Sequence, residues 1–258
     1  MQRSAINLNV FTNVASDDPR HCLVPVAIRS FFACFARPEV GLEVVVRIFI
    51  DPNPHRDHFA DWTGVIADQL RDVDYQLIQS KGLSDGFRRS IAMSEGEYAI
   101  QLEHDWIFLK HRIKHTLPQI IEDMRARRIN YLRFNKRRNV QFGTDYFVDE
   151  DDSGSVPLCR INGRSNNPQI IDVAYYQALV ADCPHIGLEG HICRYAGGGY
   201  LYGPAGWPRT VQHLDGRRVR AKDNIARLLY MLRTKGIDYL RPSKVPVRPG
   251  NANQPHAN

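Results

Sequence analysis

The sequence predicts an α/β domain with a mostly parallel sheet flanked by helices. Three observations carry this. Strand-like and helix-like stretches alternate from the N-terminus to Leu102, the pattern of a sheet built by right-handed crossovers. Glu43 to Ile50 (EVVVRIFI) is a β-branched run, the mark of a strand covered on both faces. The chain has 258 residues, 43% hydrophobic and 24% charged, which suits one large α/β domain or two small ones.

Each element has its own signal. Ile6 to Phe11 alternates and is β-prone. Val24-Pro25-Val26 opens a helix through Phe31, Phe32 and Phe35, with Pro25 in the first turn. Phe59, Trp62, Ile66 and Leu70 recur at helical spacing, and Tyr75 to Gln79 is a short strand. Ser84 is expected to cap a helix carrying Phe87 and Ile91 that ends near Gly96. The strand Glu97 to Leu102 follows. Thr116-x-x-Gln119 reads as a capping box, with Pro118 in the first turn of a helix to about Arg128. Tyr131 to Phe134 reads as a strand, Asp149 to Gly154 as an acidic loop, and Asn167-Pro168 as the start of a helix through Val173, Tyr176 and Val180. A last helix is expected over Asp223 to Lys235, stopped by Gly236. With no internal repeat and no clear linker, one domain over 1–240 is expected. Its halves meet near 135, and 241–258 reads as a flexible tail.

The composition narrows the function class. Net charge is +6, which suits polyanionic partners such as nucleic acid, anionic lipid or a phosphorylated small molecule. No nucleic-acid-binding signature accompanies it. Cys22, Cys34, Cys159, Cys183 and Cys193 are odd in number and lack CxxC spacing, so reduced, mostly buried thiols are expected rather than a zinc ribbon or disulfide framework. The absence of a signal peptide and of a bilayer-length apolar run makes a cytoplasmic protein the expectation, soluble or in peripheral contact with anionic membrane.

In a mostly parallel sheet, ligands bind beyond the carboxyl ends of the strands. The residues there are Thr12 and Asn13, Asp51, Lys81, and the pair Glu103 and Asp105. Residues two apart on a strand face one side. If the strand persists through Asp105, its two carboxylates converge, and their repulsion is relieved by a divalent cation with oxygen ligands. A cation that also held a diphosphate would neutralise a leaving group. The plain alternative is a strand end turning into solvent.

Glu103-His104-Asp105-Trp106, an acid-x-acid closing the fourth strand, resembles the DxD motif of GT-A glycosyltransferases, particularly family-2-like enzymes. The strand–helix pattern of residues 5 to about 135 carries the resemblance, and the rest follows loosely. It implies a nucleotide-sugar donor, a carbohydrate or lipid-linked hydroxyl acceptor, and Mn2+ or Mg2+. By resemblance Glu103 faces the ribose side, with His104 beside it in the donor site, and Asp105 binds the metal. Asp51 contacts the base, and Thr12 and Asn13 lie near the nucleotide. Lys81, Arg88 and Arg89 are candidates for base or diphosphate contact. Leu188 to Arg194 resembles the segment carrying the general base, which makes Glu189 the choice and His191 the fallback. Gly190 stands where an Asp is expected. His213 resembles a late metal or diphosphate ligand, with Asp215 competing.

Tyr195 to Trp207, rich in Gly and aromatics, is read as a mobile loop closing over the site. Tyr200 and Trp207 would present ring faces to the acceptor sugar. His111 and His115 are four apart, but the capping box places the helix after them, so solvated histidines are expected. A sugar-phosphate nucleotidyltransferase is the first rival, disfavoured by the lack of glycine in TNVASDDPRH. A basic nucleic-acid-binding protein is the second.

Overall fold

The computed structural model describes residues 5–13, 18, 21–35, 43–52, 59–140, 149–181, 192 and 198–214, all within a compact unit spanning Met1–Asp215. The expected last helix, the tail, Cys183, Cys193 and the domain limit at 240 lie outside the described residues.

The first half follows the sequence pattern: β1 (Ile6–Asn13), α1 (Val24–Phe35), β2 (Val44–Asp51), α2 (Phe59–Gln69), β3 (Tyr75–Gln79), α3 (Leu83–Met93), β4 (Tyr98–Glu103). β1 pairs parallel with β2 and β4, and β2 pairs parallel with β3. The register sets Phe11 against Phe49 and Glu103, and Asn13 against Asp51. The carboxyl ends of β1, β2 and β4 are therefore level, and the residues after them share one edge. Helix α3 starts at Leu83 with Gly82 as its N-cap and no side-chain cap, so Ser84 is inside the helix and not its cap. At φ 102° Gly82 occupies a backbone region that side chains disfavour, which lets the chain turn from β3 into the helix without a capping side chain.

The second half contains more strand than its sequence advertises. It runs β5 (Trp106–Phe108), a 3-10 turn (Lys110–Arg112), α4 (Leu117–Ala126), β6 (Tyr131–Arg133), β7 (Asp149–Asp151), β8 (Leu158–Ile161), β9 (Gln169–Asp172), α5 (Val173–Ala181), β10 (Gly199–Tyr202) and β11 (Val211–His213). Asp149–Asp151, read as loop, is edge strand β7. The helix expected from Asn167-Pro168 begins only at Val173, because Gln169–Asp172 is drawn into the sheet between β4 and β6. The described residues form a nine-stranded sheet ordered β3-β2-β1-β4-β9-β6-β10-β8-β7. β9 is antiparallel to both β4 and β6, and β10 is parallel to β6. β4, β6 and β10 thus run the same way and end at the same edge.

Each face of the sheet buries its own apolar cluster. One joins Leu8, Val10, Ile48, Ile100 and Leu132 to α1, α2 and α4. The other joins Phe11, Phe49, Ala99, Tyr131 and Ile171 to α3 and α5. On the first face a ring chain runs Phe35–Phe108 (centroids 5.2 Å), Phe108–Phe134 (5.1 Å) and Phe134–Tyr202 (5.5 Å). Such contacts contribute about 0.5–1.5 kcal/mol each beyond area burial, and they pin β5 between α1 and the sheet. Cys22, Cys34 and Cys159 are buried, as expected. Among the described residues no helix is long and apolar enough to cross a membrane.

The capping box forms as expected. The Thr116 side chain accepts from Gln119 N, and Gln119 Oε1 accepts from Thr116 N at 2.8 Å. Thr116→Ala should cost about 1 kcal/mol and lower the melting temperature by about 2–4 °C, while Thr116→Ser should hold the wild-type value; calorimetry on the pair checks both.

Candidate active site

The parallel register brings Thr12, Asn13, Asp51, Lys81, Glu103, His104 and Asp105 to one edge, but the acidic pair is not built as an extended strand. β4 ends at Glu103, the chain turns at His104-Asp105, and β5 pairs with β11 rather than with the main sheet. The alternation argument therefore stops at Glu103, which lies one pleat beyond Gln101 on the face toward α3 and α5. The turn is fixed by His104, whose backbone N donates to Phe11 O at 2.9 Å and whose Nδ1 lies 3.3 Å from the same oxygen. Burial lowers the His104 pKa, against the opposing pull of Asp105, so its ring is neutral at neutral pH.

Asp105 is held by residues far from it in sequence. Its Oδ2 lies 2.9 Å from His213 Nε2, its carbonyl accepts from Leu214 N at 2.6 Å, and the His213 ring packs on Trp106 with centroids 4.5 Å apart. The β5–β11 ribbon sets His213 opposite Trp106 and so delivers the imidazole. Asp105 Oδ1 is buried and has no hydrogen-bond partner among the described residues. Magnitudes make this informative. The His213 side chain is 38% exposed, and so exposed a pair contributes at most about 1 kcal/mol. An unsatisfied buried polar atom costs about 1–3 kcal/mol. The pair is thus a weak stabilising contact beside an unsatisfied carboxylate oxygen, and the arrangement costs stability on balance. A hard cation fits that donor set, since Mg2+-type sites use one or two protein groups and leave the remaining positions to phosphate and water. Among the described residues no group of three or more His, Cys, Asp or Glu converges, so Glu103 does not complete a three-residue protein site with Asp105 and His213.

At the β2 and β3 ends, Asp51 accepts from the Gly82 backbone N–H. Burial raises the Asp51 pKa, Gly82 pulls it down, and nearby Asp85 adds to the rise. Lys81 N donates to Asp85 Oδ2 at 2.9 Å, leaving its exposed side chain at the edge. Thr12 is buried and Asn13 exposed. Arg89 donates to Gln79 O and lies 3.9 Å from Asp85. Arg88 reaches Val180 O on α5 at 3.4 Å, so its guanidinium engages the helix layer. Glu189, His191 and Asp215 lie outside the described residues.

The aromatic segment departs from its reading as a mobile loop: Gly199–Tyr202 is an interior strand in which Leu201 and Tyr202 are fully buried. Tyr200 and Trp207 pack against the first cluster, and Trp207 Nε1 donates to Arg112 O at 3.2 Å. Residues 195–197 lie outside the described residues. Of the histidine pair, His111 is exposed, while His115 Nδ1 sits 2.8 Å from Tyr202 Oη.

The sequence reading missed a buried polar row. Asn9, Gln101, Gln169 and Arg133 are register neighbours across β1, β4, β9 and β6, all buried. Arg133 Nη1 donates to Ser165 Oγ at 2.8 Å. An Arg inside the apolar YLRF stretch was the available signal.

No protein-family model and no curated protein sequence matches the chain. Solved structures do. TarS 1-349 of S. aureus superposes with a TM-score of 0.50 at 12% identity over 81% of this chain and 60% of its own. Its complex with UDP-GlcNAc gives 0.52 at 14%, over 89% and 66%. The mannosyltransferase PcManGT from Pyrobaculum calidifontis, in complex with GDP-Man and Mn2+, gives 0.54 at 10%, over 89% and 62%. The chain thus spans roughly three fifths to two thirds of these neighbours. It has the GT-A fold of these glycosyltransferases.

Asp51 offers a test of the edge. Its folded-state pKa is raised, so the native protein holds the extra proton and loses stability as pH rises through the interval above the unfolded carboxylate value of about 3.9. Asp51→Asn should raise the melting temperature at neutral pH, with the gain vanishing below that value; thermal unfolding across pH reads it.

Proposed function

We propose that the chain is a glycosyltransferase moving a sugar from a nucleotide-diphosphate donor to a hydroxyl acceptor. The observation that carries this is Asp105, a carboxylate at the carboxyl edge of a GT-A sheet, paired with His213 through one oxygen and buried without a partner at the other. The donors in the neighbours' complexes, GDP-Man and UDP-GlcNAc, support a nucleotide-sugar as substrate.

Asp105 and His213 would hold Mn2+ or Mg2+, and the ion would supply charge neutralisation to the departing diphosphate. The chain's own residues do the rest. Asp51, steadied by the Gly82 amide, presents a polar group to the base. Thr12 and Asn13 bound the nucleotide from the end of β1, Glu103 and His104 bound it from the end of β4, and Lys81 offsets phosphate charge. Glu189, or failing it His191, takes the acceptor proton, consistent with direct displacement and inversion at the anomeric carbon. Carbohydrate or lipid-linked hydroxyls are the acceptor class, with Tyr200 and Trp207 on the acceptor side.

A thermal-shift panel of UDP-, GDP-, CMP- and dTDP-sugars with and without Mn2+ should show one donor class raising the melting temperature. Asp105→Ala should abolish the Mn2+-dependent part and reduce transfer by about two to three orders of magnitude. No response to any donor, or an unchanged response in Asp105→Ala, would refute the assignment.

A further inference from the structure

Three segments at the carboxyl edge carry cations and no carboxylate: 109–116, 135–140 and 203–210. Lys110, Arg112 and Lys114 belong to the first, Arg137 and Arg138 to the second and Arg209 to the third, and all six are exposed. The segments are laced into one platform. Leu109 N donates to Thr210 O at 2.8 Å and Lys114 N to Tyr202 Oη at 3.0 Å. Arg138 Nε donates to Gly206 O at 2.8 Å, and Asn139 Nδ2 to the carbonyls of Tyr202 and Gly203 at 3.0 and 2.9 Å. The cations are thus presented by ordered backbone. An open depression of about 540 Å3 lies among Lys110, His111, Ile113 and Lys114. The acidic stretch Asp149–Asp151 is on β7, two strands beyond β10, with Asp151 occupied by Arg127 at 3.1 Å.

The position matters as much as the charge. The segments after β6 and β10 leave the sheet at the edge where β4 ends, but on the side away from β2 and β3, where Asp51 and Lys81 lie. Arg209 precedes His213 by no more than about 15 Å of chain. Among the described residues these six cations have no ion-pair partner, and like charges gathered so repel one another and gain by taking an anion. We propose that this basic face docks the acceptor, and that the acceptor is a phosphate-bearing polyanionic chain, whose repeated charges the face tracks while one hydroxyl reaches the site at Asp105. The word acceptor rests on the transfer reading; binding of a polyanion does not. A shallow basin with charges on three loops fits a chain segment better than a planar bilayer, so the partner is a soluble polyanion.

The test is equilibrium binding of the full chain to fluorescently labelled inorganic polyphosphate, across salt, beside vesicles of equal parts phosphatidylglycerol and phosphatidylcholine. Polyphosphate should bind with an affinity that falls as salt rises. The triple variant Lys110→Gln, Arg112→Gln, Lys114→Gln should weaken it about tenfold, with the melting temperature and donor-induced shift unchanged. The control triple Arg29→Gln, Arg71→Gln, Arg125→Gln removes the same charge elsewhere and should bind as wild type. Equal weakening by both triples, no binding of polyphosphate, or preference for the vesicles would overturn the proposal. Polyphosphate binding that persists where no donor binds would sink the transfer reading and leave the polyanion surface standing.

Discussion

The short ribbon formed by Trp106–Phe108 and Val211–His213 is the constraint on which the site depends. It closes a long sequence separation with only three paired residues per strand, too few to stand alone. Its stability comes from beneath, where Phe108 sits in the ring chain with Phe35 and Phe134. Those contacts fix the ribbon, the ribbon fixes His213 over Trp106, and His213 then meets Asp105. Loss of the aromatic packing would separate the pair without touching either residue.

A second constraint is the sense of the strands. The parallel pairings of β1 with β2 and β4 level their carboxyl ends, and β9, antiparallel to both β4 and β6, lies between them so that β4, β6 and β10 end at the same edge. The edge that carries Asp51 and Asp105 and the cationic platform are consequently neighbours along one rim. The polar row Asn9–Gln101–Gln169–Arg133 beneath that rim is costly to bury, since Asn9 Oδ1 and Gln101 Nε2 have no hydrogen-bond partner among the described residues. The raised carboxyl of Asp51 adds a second place where this part of the fold gives up stability.

Much of this was legible beforehand, and the boundary has a physical shape. β1 to β4 and their helices were readable because each is long enough to show its period, and α4 because Thr116 and Gln119 write its start in local hydrogen bonds. Asp51 and Asp105 were readable as edge residues because strand ends follow from the same periods. β7, β8, β9 and β10 were not, being only three or four residues each. Their extended state comes from the strands beside them. Gly199–Tyr202 looked like a loop because its glycine signals freedom, yet an added Cβ at Gly199 would collide with the Tyr131 ring, so that glycine serves close packing.

From the sequence alone came the α/β class, the parallel half-sheet, the edge on which chemistry would lie and the candidate acids, all properties written in nearest neighbours and short periods. Tertiary structure alone decided that the chain turns after Glu103, that Asp105 answers to His213, and that three separate basic segments form one face. Those outcomes are pairings between residues far apart in the chain, and only the packed core, through the strands it aligns, chooses among them.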